Sequence, residues 1–181
     1  MTGRLPEIDN PFWRFSLTVY GRPGVADACI ALQETLGVDV NLLLFCAWAG
    51  VSHRARLSEW DVRKLMDVSS GWQRGVVQPI RGARHYLKSP AEIGAAEVQA
   101  LRKQAAALEL QAEQVEQALL YASASPEWPR DELTHPGDIA RQNLETALRC
   151  GMSENAGRDW AHHSSLIDEL AAAAAATGVG T

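Results

Sequence analysis

Cysteine is scarce in this 181-residue chain, and its pattern is uninformative about redox chemistry. Cys29, Cys46 and Cys150 are odd in number and form no Cys-x-x-Cys, so a reducing compartment is the simplest setting. No apolar run approaches the roughly 20 residues that cross a bilayer. Met1 to Asn10 lacks the apolar stretch and cleavage pattern of a signal peptide, which makes the cytoplasm the expected location. Positive charge is also short: a net charge of -5 disfavours nucleic acid or an anionic membrane as main partner. There is no Gly-x-Ser-x-Gly and no glycine-rich phosphate loop. No alternating run demands a sheet, and there is no internal repeat. Neither a catalytic residue nor a cofactor is therefore expected on the strength of any motif, and the sequence leaves open whether the chain is an enzyme.

What remains is helical periodicity. Asn10-Pro11 supplies a cap and a first-turn proline for a short helix through Phe12, Trp13, Phe15, Leu17 and Tyr20. Val25, Cys29, Leu32 and Leu36 then recur at spacings of four, three and four up to Gly37, which ends the second helix. Asp39 caps a third helix whose apolar run, Leu42 to Ala49, cannot alternate in and out of a surface. Such a helix is covered on all sides and forms the centre of a soluble domain. Gly50 to Arg56 is expected to be a loop.

Ser58-Glu-Trp-Asp61 reads as a capping box for a long helix reaching Leu87, with a bend or break at Pro79. Ser89-Pro90 opens another, to about Ala124, with Val98, Leu101, Ala105, Leu108, Ala112, Val115 and Leu119 three and four apart. This seam is expected to pack within the bundle; homodimerisation through Val98–Leu119 is its other use. Residues 52–88 hold eight Lys/Arg against three acids, and residues 89–135 hold three against eight. Opposite charge on consecutive long helices predicts an antiparallel hairpin. After a proline-bearing loop from Ser123 to Gly137, two further helices are expected, about Asp138–Cys150 and Asn155–Ala176, with a frayed alanine-rich tail.

The fold class is thus all-α: a compact bundle of five to seven helices with a long antiparallel hairpin. Residues 1–124 form the core domain and 125–181 a C-terminal helical extension. Phe12-Trp13-x-Phe15-Ser16-Leu17-x-x-Tyr20, Val25-x-x-Ala28-Cys29-x-x-Leu32-Gln33 and Gly37-x-Asp39-Val40-Asn41-Leu42 resemble the first block of an uncharacterised family of small helical bacterial proteins. Trp72-x-x-x-Val76-Val77-x-Pro79-Ile80-Arg81-x-x-Arg84 is similar to its second block. The resemblance spans roughly residues 11–120. It implies a compact helical bacterial domain and supplies no activity, ligand or catalytic residue.

Two groups of residues stand out as candidate sites. Arg74, Arg81, Arg84 and Lys88 share one side of a helix, and arginine suits bidentate recognition of carboxylate or phosphate. The leading expectation is a non-enzymatic interaction or regulatory protein that contacts an acidic partner or anion through this face. Its plainer alternative is pairing with the acidic helix that follows. Gln33, Glu34, Asp39 and Asn41 make the other group, a polar floor for a small-molecule pocket at the head of the third helix. The plainer expectation there is that Asp39 caps and Asn41 bonds a neighbouring backbone group. Glu132-x-x-His135 and Asp159-x-x-His162 carry metal-like spacing, but the first adjoins Pro136 in a loop and the second has aspartate, so no metal is expected. Cys46 sits among Leu44, Phe45, Ala47 and Trp48, where a thiol is inert.

Overall fold

A computed structural model describes residues 6–88, 95–151 and 160–178. The elements are α1 (Pro11–Tyr20), α2 (Val25–Leu36), α3 (Val40–His53), α4 (Glu59–Trp72), α5 (Gln78–Tyr86), α6 (Ala95–Ala122), α7 (Pro136–Gly151) and α8 (Trp160–Gly178). One π-helical turn, Gln73–Val77, joins α4 to α5 into a continuous rod. The bend or break expected at Pro79 thus takes the form of a local widening just before it rather than a break. Pro79 follows closely on the π turn, whose altered bonding accommodates the missing N–H and the ring within the rod. Among the described residues there is no strand, only an isolated bridge between Ala55 and Arg130.

Caps written into the sequence start the helices. Asn10 Oδ1 accepts from Trp13 N at 2.9 Å. Ser58 and Asp61 form a reciprocal capping box, with Asp61 N to Ser58 Oγ at 3.2 Å and Ser58 N to Asp61 Oδ2 at 2.9 Å. Gly37, at φ 67°, ends α2 in the left-handed conformation that glycine adopts without strain.

α3 is the axle of the molecule. Every residue from Asn41 to Val51 is buried, with Phe12, Phe45 and Trp48 packed ring to ring at 5.1–5.5 Å. The helix does not stop at Gly50, as expected, but continues to His53. Gly50 is there for space: a Cβ would lie 2.6 Å from Ala140 N and 2.7 Å from Ala140 Cα on α7. That contact draws the C-terminal part of the chain into the same core, where Ala140, Leu144, Leu148, Ile167 and Leu170 are buried. Asn143 Nδ2 donates to Cys46 O at 3.1 Å and Ala55 O at 2.8 Å, while its Oδ1 accepts from Leu57 N at 2.9 Å. The loop leaving α3 is thereby stapled to α7. The alanines from Ala171 to Ala176 are helical rather than frayed, and Ala171 and Ala174 belong to the core. No helix of the described residues is long and apolar enough to cross a membrane.

The rod formed by α4 and α5 runs antiparallel to α6: Gln73 meets Glu116, and Arg84 meets Glu109. The seam read from the sequence is rotated. Val98 and Ala112 are buried, but Leu101 and Leu108 are each 53% exposed, and Glu109, Glu116 and Gln117 lie inside. α6 buries polar side chains because what it faces is itself polar.

Candidate functional site

Asp39 does what its position predicts, with Oδ1 accepting from Asn41 N at 2.9 Å and Leu42 N at 3.4 Å. Because Asp39 satisfies those backbone groups, the Asn41 side chain is free to leave its own helix. It does not bond a neighbouring backbone group, as expected, but reaches α6. Its Nδ2 donates to Glu116 Oε2 at 2.8 Å, and its Oδ1 accepts from Gln117 Nε2 at 2.8 Å. From the π turn, Gln73 Nε2 donates to both Glu116 oxygens at 3.1–3.2 Å.

Glu116 is fully buried. Burial, reinforced by the charge of Asp39 and a hydrogen bond to it, pushes its carboxyl up to about 9, against the opposing pull of Asn41. It therefore holds its proton to higher pH than an exposed carboxyl does. The amides around it are incompletely satisfied: Gln73 Oε1 and Gln117 Oε1 are buried with no hydrogen-bond partner.

Gln117 and Asn41 line a cavity of about 480 Å³ between α1, α2, α3, α5 and α6. Arg81 forms part of its wall and is held on three sides. Nε donates to Glu109 Oε1 at 2.7 Å, Nη1 to Gln33 Oε1 at 2.7 Å and Nη2 to Glu113 Oε1 at 2.6 Å. Arg84 adds two bonds to Glu109, through Nε to Oε2 and Nη2 to Oε1. Burial raises the Glu109 carboxyl, but the hydrogen bonds and charges of Arg84 and Arg81 outweigh it and leave the group below its ordinary value. For Glu113, burial wins over the attraction of Arg81 and its pKa is raised. The mouth is apolar, with Leu17, Tyr20, Ile30 and Leu110 between 39% and 51% exposed.

The structure therefore brings Gln33 and Asn41 from the expected pocket together with Arg81 and Arg84 from the expected basic face. It separates the remaining candidates. Asp39 and Arg74 line a second cavity of about 280 Å³ on the other side of the network, with Ser69, Gln73 and Gln78. Glu34 and Lys88 are exposed and line neither cavity. Sequence reasoning missed Glu109, Glu113, Glu116 and Gln117. The available signal was the seven-residue spacing of Glu109 and Glu116 opposite a run of arginines.

The Glu132-x-x-His135 spacing and the cysteines lie apart from this network. Glu132 pairs with Arg54 and Arg130, and His135 Nδ1 accepts from Gly137 N at 3.2 Å. Asp159-x-x-His162 lies outside the residues whose side chains are described. No cluster of metal-ligating side chains occurs among the described residues. Burial raises the Cys29 thiol to about 12 and the Cys46 thiol further, so neither is a nucleophile at neutral pH.

A family model described as a protein of unknown function (DUF2390) matches residues 11–120, which carry every residue of the cavity. No curated protein and no solved structure matches the chain.

Proposed function

The chain belongs to the DUF2390 family of proteins of unknown function, and from its geometry we propose that it binds a small organic molecule in the 480 Å³ cavity. One observation carries this reading: an exposed apolar rim, Leu17, Tyr20, Ile30 and Leu110, surrounds a floor of buried polar side chains. Ligand cavities commonly measure about 300–1,000 Å³ and pair apolar walls with a few convergent polar groups. Leucine and isoleucine left exposed at a rim contribute little to folding and bury apolar area when a ligand covers them. The Asp39 cap then serves the site by freeing Asn41.

Native mass spectra of the protein isolated from its own host test this. An adduct that denaturation releases is the expected result, and Ala106→Trp, placed in the cavity wall where the residue is exposed, should abolish it with unchanged helical circular dichroism. A clean mass from the unmodified protein, with no uptake of added apolar compounds, overturns the proposal.

A second reading retains a contact surface but moves it. With Arg81 and Arg84 engaged by Glu109 and Glu113, an acidic partner finds only Arg74 and Lys88 exposed on that face. Leu101 and Leu108, seven residues apart and half exposed, suit self-association along α6 better. Sedimentation of the wild type and of Leu101→Lys/Leu108→Lys tests it: a doubled mass that the variant halves supports a dimer, and a monomeric wild type excludes it.

A further inference from the structure

Resting on that cavity reading, we propose that the ligand is an uncharged amphiphile, an apolar body carrying one hydrogen-bond donor such as an alcohol or a primary amide, set against Gln117 Oε1. Three observations fix the head group.

The first is the direction of the buried hydrogen-bond chain. Both Glu116 oxygens act as acceptors, from Asn41 Nδ2 and from Gln73 Nε2. Asn41 must therefore turn Nδ2 toward Glu116 and Oδ1 toward Gln117. Gln117 must in turn present Nε2 to Asn41, since reversing its amide would oppose two acceptors. The end of the chain is then Gln117 Oε1, an acceptor with no partner on a side chain 97% buried, in the wall of the cavity. What it lacks is a donor.

The second is charge balance. Arg81 and Arg84 face Glu109 and Glu113, two against two, within one wall. A carboxylate ligand would have to draw an arginine from Glu109, whose side chain is 8% exposed, and leave that charge uncompensated. An ammonium ligand would compete with the arginines for the same carboxylates. A neutral head group disturbs neither. The third is the largely apolar mouth, where Leu17, Ile30 and Leu110 cover a hydrocarbon body.

Titration of the unmodified protein with 1-decanol, decanamide, decanoate and decylamine at pH 7 separates this inference from the reading beneath it. Decanol and decanamide should bind at least roughly ten-fold more tightly than the two charged compounds, equivalent to about 1.4 kcal/mol. Gln117→Met should weaken decanol and decanamide and leave the two charged compounds unchanged, because the arginines and carboxylates that disfavour charge remain; the wild-type series decides the matter if the variant folds poorly. Tightest binding of decanoate or decylamine, or equal binding of all four, overturns the neutral head group and leaves the cavity in use. No binding of any compound, together with a clean native mass, overturns both.

Discussion

The Asn41 carboxamide donates to Glu116 at 2.8 Å across 75 residues of chain, tying the first turn of α3 to the middle of α6. Its oxygen simultaneously accepts from Gln117. Asn41→Leu, nearly conserving volume, removes both bonds and leaves a buried acid and a buried amide short of partners. The expected loss is roughly 2–4 kcal/mol in urea unfolding, because stranding buried polar groups costs more than the bonds themselves are worth. A loss below about 0.5 kcal/mol would mean that the network does not hold α6 in place.

Glu116 makes the stability depend on pH. Its carboxyl titrates near 9 when folded, against an ordinary value of 4.5. Between those limits the folded protein keeps a proton that the unfolded chain has released, so stability falls as pH rises. The contribution is intact below pH 4.5 and lost as pH passes about 9. Glu116→Gln does not titrate. Its stability relative to wild type should therefore grow with pH, by at most about 1.4 kcal/mol per unit. Urea midpoints at pH 5, 6.5 and 8 measure this; parallel profiles for the two proteins would show that Glu116 is ionised in the fold.

Local signals were legible in the sequence and long-range ones were not. The Asn10, Asp39 and Ser58 caps and the Gly37 stop each act within a few residues: α1, α3 and α4 start where the caps predict, and α2 ends where Gly37 does. Gly50 resembled a stop but serves a helix ninety residues away, so its meaning lay outside any local window. α6 was misread for a related reason. Hydrophobic periodicity skips charged residues, yet Glu109 and Glu116 are buried because Arg81, Arg84, Asn41 and Gln73 satisfy them. The charge complementarity of the hairpin was visible; that it was internal, and floored a cavity, required the α2 and α3 partners.

Arg81 and Arg84 should behave as structural cations. Arg81→Glu with Arg84→Glu sets four carboxylates together in a half-buried wall, where only two arginines now neutralise Glu109 and Glu113. Removing one side of such a pair costs roughly 3–5 kcal/mol, so loss of the cooperative thermal transition, or a fall of many degrees, is expected. Arg74→Glu, on an exposed residue of the same stripe, should change stability by no more than about 0.5 kcal/mol. Similar melting of both variants would place Arg81 and Arg84 in solvent.

Gly50 and Gly82 are both helical glycines, and alanine should act on them in opposite directions. Gly82 has open space where a Cβ would go, so Gly82→Ala gains helix propensity, about 0.5–1 kcal/mol. At Gly50 the same gain is available, but the new methyl meets Ala140 N at 2.6 Å, Ala140 Cα at 2.7 Å and Ile139 C at 3.1 Å. All three are backbone atoms, so no rotamer change relieves the contact and α7 itself must move. Displacing α7 also pulls Asn143 from Cys46, Ala55 and Leu57, coupling the clash to three buried hydrogen bonds. A net loss of about 3 kcal/mol or more is expected for Gly50→Ala. Equal stabilisation at the two positions, measured by urea unfolding, would mean that α7 does not seat on α3.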